Sequence, residues 1–102
     1  MKTFSEYQNA RILDKSGRLA NGDYLENDGE VVLRIKNGLL DDGIDETGKP
    51  LPALQYTDGS HIEHWRNGVL HADNMPAVVD TLDNREEWWM HGRKYENPTV
   101  KF

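Results

Sequence analysis

Asp58-Gly59-Ser60-His61-Ile62-Glu63-His64-Trp65-Arg66-Asn67-Gly68-Val69-Leu70-His71 is the stretch that decides the fold. A polar turn dipeptide stands near each end of a short strand-forming segment, with Asn67-Gly68 nine residues after Asp58-Gly59. Asp28-Gly29 and Asn37-Gly38 repeat that distance, and a degenerate copy runs from Asp83-Asn84 to His91-Gly92. Such recurrence is the mark of stacked β-hairpins. Asp-Gly and Asn-Gly supply the positive φ that both central positions of a type I′ turn require. A two-residue loop at Asn67-Gly68 sets Trp65 opposite Leu70 and Arg66 opposite Val69. The same loop at Asn37-Gly38 sets Ile35 opposite Leu40, and at His91-Gly92 it sets Trp89 opposite Lys94. Ile35, Trp65 and Trp89 then form one column, each three residues before its turn glycine, and that column is expected in the core. His61 should face Tyr56, and His71 should lie near Glu63 or His64.

Working outward, Val31, Leu33 and Ile35 alternate with Glu30, Arg34 and Lys36, a half-buried strand pattern. In the later copies Ile62 and Trp65 fall on opposite faces, as do Trp88 and Trp89, so a bulge or partial cover on both faces is expected. Asp41–Leu51, with four acids, two glycines and a proline, reads as an exposed loop inserted into the first repeat. The first 20 residues allow two readings. Thr3 and Glu6 have capping-box spacing with Gly17 as a helix stop, whereas Arg11–Leu19 around Ser16-Gly17 allows another hairpin. The expected fold is all-β, an antiparallel meander of repeated β-hairpins, with a short N-terminal helix or irregular arm as an addition. The chain divides into an arm over 1–20, a first repeat over 23–54, a second over 55–79 and a partial third over 80–102, all within one domain. The tail after Tyr95 can cover a sheet edge.

Composition limits the function. The chain has 102 residues, of which 36% are apolar and 29% charged, so it can bury only a thin core. Without cysteine there is no disulfide, thiolate metal site or cysteine nucleophile. No signal-peptide core or membrane-length apolar run is present, and the expectation is a soluble protein of the cytoplasm. Between Leu19 and Trp65 ten acids face three bases, a local charge of −7 within a total of −6. Such a field repels nucleic acid phosphates and favours a basic protein partner. It also keeps a small sheet soluble, which is the simpler explanation of the same acids.

Catalytic signals are weak. His61 and His64 point to opposite faces of a strand, so a metal site would need His64, His71 and a carboxylate together. Exposed or turn-framework histidines explain them without an ion. The Asp41–Glu46 run fails the alternating-oxygen pattern of an EF-hand loop. No phosphate-binding glycine loop or nucleophile elbow occurs. No catalytic residue and no cofactor is therefore expected.

The run from Asp58 to Val78, with Trp65, Asn67-Gly68, Leu70-His71 and Pro76-Ala77, resembles a MORN-like variant repeat. Glu86-Glu87-Trp88-Trp89-Met90-His91-Gly92-Arg93-Lys94-Tyr95 is similar to the first half of that repeat. Residues 56–95 carry the resemblance well and 24–54 loosely. Ala72 and Met75 stand where the repeat has Arg and Gly, and Asp41 and Tyr95 where it has His. The resemblance implies a β-meander and a binding role, in a class of small proteins found in bacteria, phages and large viruses. Combined with the charge, it leads to the expectation of a non-catalytic inhibitor of the anti-CRISPR or anti-restriction kind. The residues expected to meet a basic partner are Asp41, Asp42, Asp45, Glu46, Glu30 and Glu63, with Trp88 as an exposed aromatic anchor. Direct binding to nucleic acid or membrane is not expected, whereas a homodimer is allowed. The alternatives are a self-associating repeat module of the toxin–antitoxin type and a small metal-dependent enzyme.

Overall fold

The structure, a computed structural model, describes residues 7–96. Twelve strands lie among them: β1 Gly22–Glu26, β2 Val31–Lys36, β3 Leu39–Leu40, β4 Gly43–Ile44, β5 Pro50–Leu51, β6 Leu54–Tyr56, β7 His61–Glu63, β8 Trp65–Arg66, β9 Val69–Leu70, β10 Val78–Asp80, β11 Arg85–Met90 and β12 Arg93–Tyr95. The main sheet is antiparallel in the order β1-β2-β6-β7-β10-β11-β12, with β3 paired to the far end of β2. The fold is all-β, as the turn spacing predicts. No helix among the described residues is long and apolar enough to cross a membrane.

The three Asn-Gly-type turns behave as their residues require. φ is +51° and +80° at Asn37-Gly38, +49° and +84° at Asn67-Gly68, and +49° and +81° at His91-Gly92. Two-residue loops follow, and they set Ile35 opposite Leu40, Trp65 opposite Leu70 and Trp89 opposite Lys94. The Asp-Gly turns are a correction. Strand pairing closes at Glu26↔Val31 and Asp80↔Arg85, so these connections hold four residues (27–30 and 81–84) rather than a two-residue type I′ loop. Side chains hold the wider loop at 57–60 and 81–84, where Asp58 accepts the Ser60 N–H at 2.8 Å and Asp80 accepts the Asp83 N–H at 3.0 Å, whereas backbone bonds from Gly29 and Glu30 to the Glu26 and Asn27 carbonyls hold it at 27–30.

Equivalent bonds stack one repeat on the next. The N–H groups of Gly38, Gly68 and Gly92 donate to the carbonyls of Ala20, Leu40 and Leu70, each at 2.9 Å. Glycine is needed here for space as well as for φ, since a Cβ on Gly38 would lie 2.7 Å from Leu19 Cδ2 and one on Gly68 2.8 Å from Leu39 Cδ2. The ladder begins at Ala20, which identifies residues 13–20 as the closing hairpin of a partial leading repeat, bridged at Leu13↔Leu19. The hairpin reading of Arg11–Leu19 is therefore the one the structure adopts. Thr3 and Glu6, and any edge cover by residues 97–102, lie outside the described residues. Residues 8–12 cross the row of turns as a strap. Ile12 N–H donates to Gly38 C=O at 2.7 Å, Asn9 N–H to Gly68 C=O at 2.8 Å, and Gln8 Oε1 accepts Leu70 N–H at 3.0 Å.

The core lies on one face of the sheet. Val31, Leu33, Ile35, Leu54, Trp65, Leu70 and Val78 are buried there, and Trp89 is partly buried against them. The faces follow strict parity, so the three repeats align as columns: Val31, His61, Arg85; Leu33, Glu63, Glu87; Ile35, Trp65, Trp89. Residues 41–52 are a second correction. They do not form an open loop but fold back as the hairpin β4–β5, registered Gly43↔Leu51 and Ile44↔Pro50. This hairpin packs on the outer face, where Arg34 Nη1 donates to the Pro52 carbonyl at 2.6 Å. The whole is elongated, 53 × 30 × 26 Å.

Candidate functional site

Folding gathers four of the ten mid-chain acids, Glu26, Asp28, Glu30 and Asp58, with three later ones at one edge of the sheet. The wide turns all lie at that edge, and residues 26–30, 57–60 and 80–86 carry seven acids and one base, Arg85. Glu26 and Asp28 have no side-chain partner among the described residues, and Glu30 meets only Asn27 Nδ2 at 3.5 Å. The Asn-Gly turns define the opposite edge, where 36–39, 66–69 and 90–93 carry Lys36, Arg66 and Arg93 and no acid. Arg11 adds to this edge by donating from Nη1 to Asn37 C=O at 3.2 Å. With about 3.3 Å per strand residue, the two edges stand roughly 20 Å apart. Glu26, Asp28 and Asp58 belong to the acid-rich half that the sequence marks but were not singled out in it, and Asp80, Asp83 and Glu86 on the same edge lie outside that half; the signal was the acid-rich flank of each wide turn against the basic flank of each Asn-Gly-type turn.

The β4–β5 hairpin treats its acids differently. Asp42 is architectural: its Oδ1 accepts Ala53 N–H and Trp65 N–H, both at 2.9 Å, and its Oδ2 meets His64 Nδ1 at 2.7 Å. Asp45 caps its own loop, accepting from Thr47 N–H, Thr47 Oγ1 and Lys49 N–H at 2.7–2.9 Å. The Thr47 hydroxyl bond is the main reason its carboxyl is held below the ordinary aspartate range. Asp14, Ser16, Gly17 and Arg18 build the same loop in the leading hairpin, so Asp-x-Ser/Thr-Gly-Lys/Arg is a second repeated signature. Asp41 and Glu46 remain without side-chain partners among the described residues. Asp41 lines a cleft of about 490 Å³ between this hairpin and residues 71–75, with Ile44, Pro50 and Met75 as apolar walls and the Arg66–Asp73 ion pair at its rim.

Glu63 is a correction. It is 3% exposed on the inner face, where a partner cannot reach it. Its Oε1 accepts Trp65 Nε1–H at 3.0 Å and its Oε2 meets His61 Nε2 at 2.7 Å, while His61 Nδ1 meets Asp80 Oδ2 at 3.0 Å. The Glu63 bond is the first of the causes that raise His61 above the ordinary imidazole value, against the desolvation that lowers it. The third repeat rebuilds this motif in a more open form, with Trp89 Nε1–H on Glu87 Oε1 at 3.0 Å and Arg85 Nε 3.6 Å from Glu87 Oε2. A glutamate two residues before the core tryptophan thus satisfies the indole N–H in both copies, which buried tryptophan requires.

The remaining histidines are also tied internally. His71 accepts His91 N–H at Nδ1 (3.0 Å) and bonds Asp73 Oδ1 through Nε2 (2.9 Å), which fixes it as the neutral Nε2–H tautomer. The expected contacts of His61 with Tyr56 and of His71 with His64 are present, the first as rings 4.9 Å apart and the second as a His71 N–H bond to the His64 carbonyl at 3.1 Å. Among the described residues no group of three or more His, Asp or Glu side chains is arranged to hold a metal ion. Trp88 is half-buried on the outer face, with its ring edge-on to Tyr95 at 6.1 Å. Of the residues the sequence nominated for a partner, the fold leaves Glu30, Asp41, Glu46 and one side of Trp88 reachable, and turns Asp42, Asp45 and Glu63 to internal bonds. Comparison with known families, with curated proteins and with solved structures gives no match to this chain.

Proposed function

We propose that this protein is a non-catalytic module that binds a basic protein surface, acting in its most concrete form as an inhibitor of the anti-CRISPR or anti-restriction kind within the host cytoplasm. The observation that carries the reading is the segregation of charge: seven acids and one base on the wide-turn edge, with several carboxylates unpaired. Turns in successive repeats are two strands apart, about 10 Å, so the edge presents carboxylates at regular steps. A channel that receives nucleic acid offers the matching row of Lys and Arg side chains, and such a surface binds a rigid acidic edge with fast, salt-sensitive association. The resemblance of residues 56–95 to MORN-like variant repeats belongs to the same proposal and agrees with a binding role.

Displacement of DNA from a purified host nuclease or guide-loaded effector complex tests this function. Asp28→Lys, Asp58→Lys and Asp83→Lys together should abolish displacement, and raising the salt should weaken binding progressively. Affinity for a basic partner that ignores both salt and the triple reversal would defeat the reading.

A further inference from the structure

The repeat contains its own description of the strand that fits beside β1. β1, β6 and β10 are equivalent, each followed by a four-residue turn into β2, β7 or β11. β6 and β10 are each flanked on their second side by the strand of the preceding repeat, β2 and β7. Among the described residues β1 has no such neighbour, so alternate N–H and C=O groups of Gly22–Glu26 face outward. Beside this edge runs a groove of about 580 Å³, with an apolar wall that includes Leu13, Tyr24 and Leu25 and a polar rim of Asp14, Lys15 and Glu26. Leu25 is 68% exposed and Leu13 57%, two large apolar side chains left open side by side at this edge.

We propose that the β1 edge receives an extended segment of a protein partner as an added antiparallel strand, with a basic residue opposite Glu26 and an aliphatic residue next to it opposite Leu25. The register comes from the internal copies. His61 stands opposite Asp80, Ile62 opposite Val79 and Glu63 opposite Val78; Val31, Val32 and Leu33 stand likewise opposite Tyr56, Gln55 and Leu54. Glu26 holds the position of Asp80, whose carboxylate is met by His61 at 3.0 Å. A Lys or Arg at the His61 position therefore answers Glu26. The next position is aliphatic in both copies, Val32 and Ile62, and meets Leu25. The third turns toward Tyr24 and the groove, where the Leu33 copy shows an apolar side chain. Backbone pairing supplies affinity and the alternate side chains supply selectivity, as in other strand-addition complexes.

A second copy of this chain fits less well. Pairing β1 with β1 brings two sets of Glu26, Asp28 and Glu30 together, eight acids with those of Asp23, against which each copy sets only Arg34, 3.8 Å from Asp23, and Lys15 of the groove. Stacking β11 of one copy on β1 of another answers Glu26 with Arg85, but it sets Glu86 against Leu25 and Glu87 against Tyr24, where the internal copy with Val32 and Leu33 has aliphatic side chains. The partner segment rests on the proposed basic-partner function and specifies one contact of it.

The test uses the full chain, isotopically labelled, with two eight-residue peptides of extended sequence, one with an Arg-Ile-Leu core and one with Glu-Ile-Leu. The Arg peptide should shift and protect the amides of Asp23–Glu26 and bind at least tenfold more tightly than the Glu peptide. Glu26→Lys should reverse that order. No protection along Asp23–Glu26, equal affinity for the two peptides, or growth of mass with concentration in the absence of peptide would each overturn the proposal. If the peptides fail while salt-sensitive displacement of DNA persists and still depends on Asp28, Asp58 and Asp83, strand addition alone falls. If both fail, the basic-partner reading falls with it.

Discussion

Replacing Asp42 by alanine should cost this protein much of its stability, whereas replacing its neighbour Asp41 should cost almost nothing. Asp42 serves three donors: the N–H groups of Ala53 and Trp65 and the Nδ1–H of His64. All three residues are buried, so water has little access to the donors that alanine would abandon. Each buried donor left without a partner costs about 1–3 kcal/mol, which gives about 3–6 kcal/mol for the set when partial relaxation is allowed. Domains of this size hold roughly 5–15 kcal/mol in total, and each kcal/mol moves Tm by about 4–8 °C. Asp42→Asn keeps an oxygen for the two N–H groups and loses the charge facing His64, a loss of about 1–2 kcal/mol. Asp41→Ala removes a carboxylate with no side-chain partner among the described residues and should stay within about 0.5 kcal/mol of the parent. Urea unfolding followed by tryptophan fluorescence measures all three. Equal stabilities for Asp41→Ala and Asp42→Ala would refute the role given to this carboxylate and would return Asp42 to the exposed recognition surface its sequence context suggests.

Two further outcomes follow from the same geometry. His61 titrates higher in the folded state than in the unfolded chain, so its bonds to Glu63 and Asp80 stabilise fully below the ordinary histidine value of about 6.5 and are lost as pH rises through the raised value; urea midpoints should fall from pH 6 to pH 9, and His61→Gln should flatten that slope. Gly17 and Gly68 have nearly the same φ, +85° and +84°, but a Cβ meets nothing within 4 Å at Gly17 and Leu39 Cδ2 at 2.8 Å at Gly68; Gly17→Ala should therefore show only the left-handed strain of about 1–2 kcal/mol, and Gly68→Ala should lose about 1–3 kcal/mol more in thermal or urea unfolding.

The parts of the fold legible in the sequence are those fixed by neighbours in the chain. Asn37-Gly38, Asn67-Gly68 and His91-Gly92 each impose a two-residue loop, and a two-residue loop leaves no freedom in register, so Trp65 had to meet Leu70. Asp28-Gly29 carries the same kind of residues yet closes a wider turn, in which Asn27, Asp28 and Gly29 all have positive φ and the N–H groups of Gly29 and Glu30 donate to the carbonyls of Glu26 and Asn27. Asp41–Leu51 looked like an open loop for a related reason. Its acids read as solvated, whereas Asp42 finds two N–H groups and an imidazole only once the second repeat is stacked beside it, and Asp45 closes its own turn. The twin of that turn, Asp14–Arg18, was present in the sequence as Asp-x-Ser-Gly-Arg and marks the second hairpin signature of the chain.

Parity is the step that places Glu63. Side chains two and four residues before an inward tryptophan share its face, so fixing Trp65 in the core also puts Glu63 and His61 there, however polar they are. A carboxylate in that position is tolerable because it is paired on both oxygens, by the indole N–H of Trp65 and by His61, and because His61 is in turn held by Asp80 on the next repeat. The first repeat needs none of this, since its column is Val31, Leu33 and Ile35. The polar network therefore enters with tryptophan: Ile35 has no N–H to satisfy, whereas Trp65 and Trp89 each have one, and each is preceded by a glutamate at the same distance. Acids in this protein accordingly divide by parity and turn type into those that answer a donor inside, such as Glu63, Glu87 and Asp42, and those on the wide turns, such as Glu26, Asp28 and Glu30, that face outward. The second group gathers on one edge because every wide turn closes on the same side of the sheet, and there it can meet a partner, whereas Asp41 and Glu46 stay open singly on the β4–β5 hairpin.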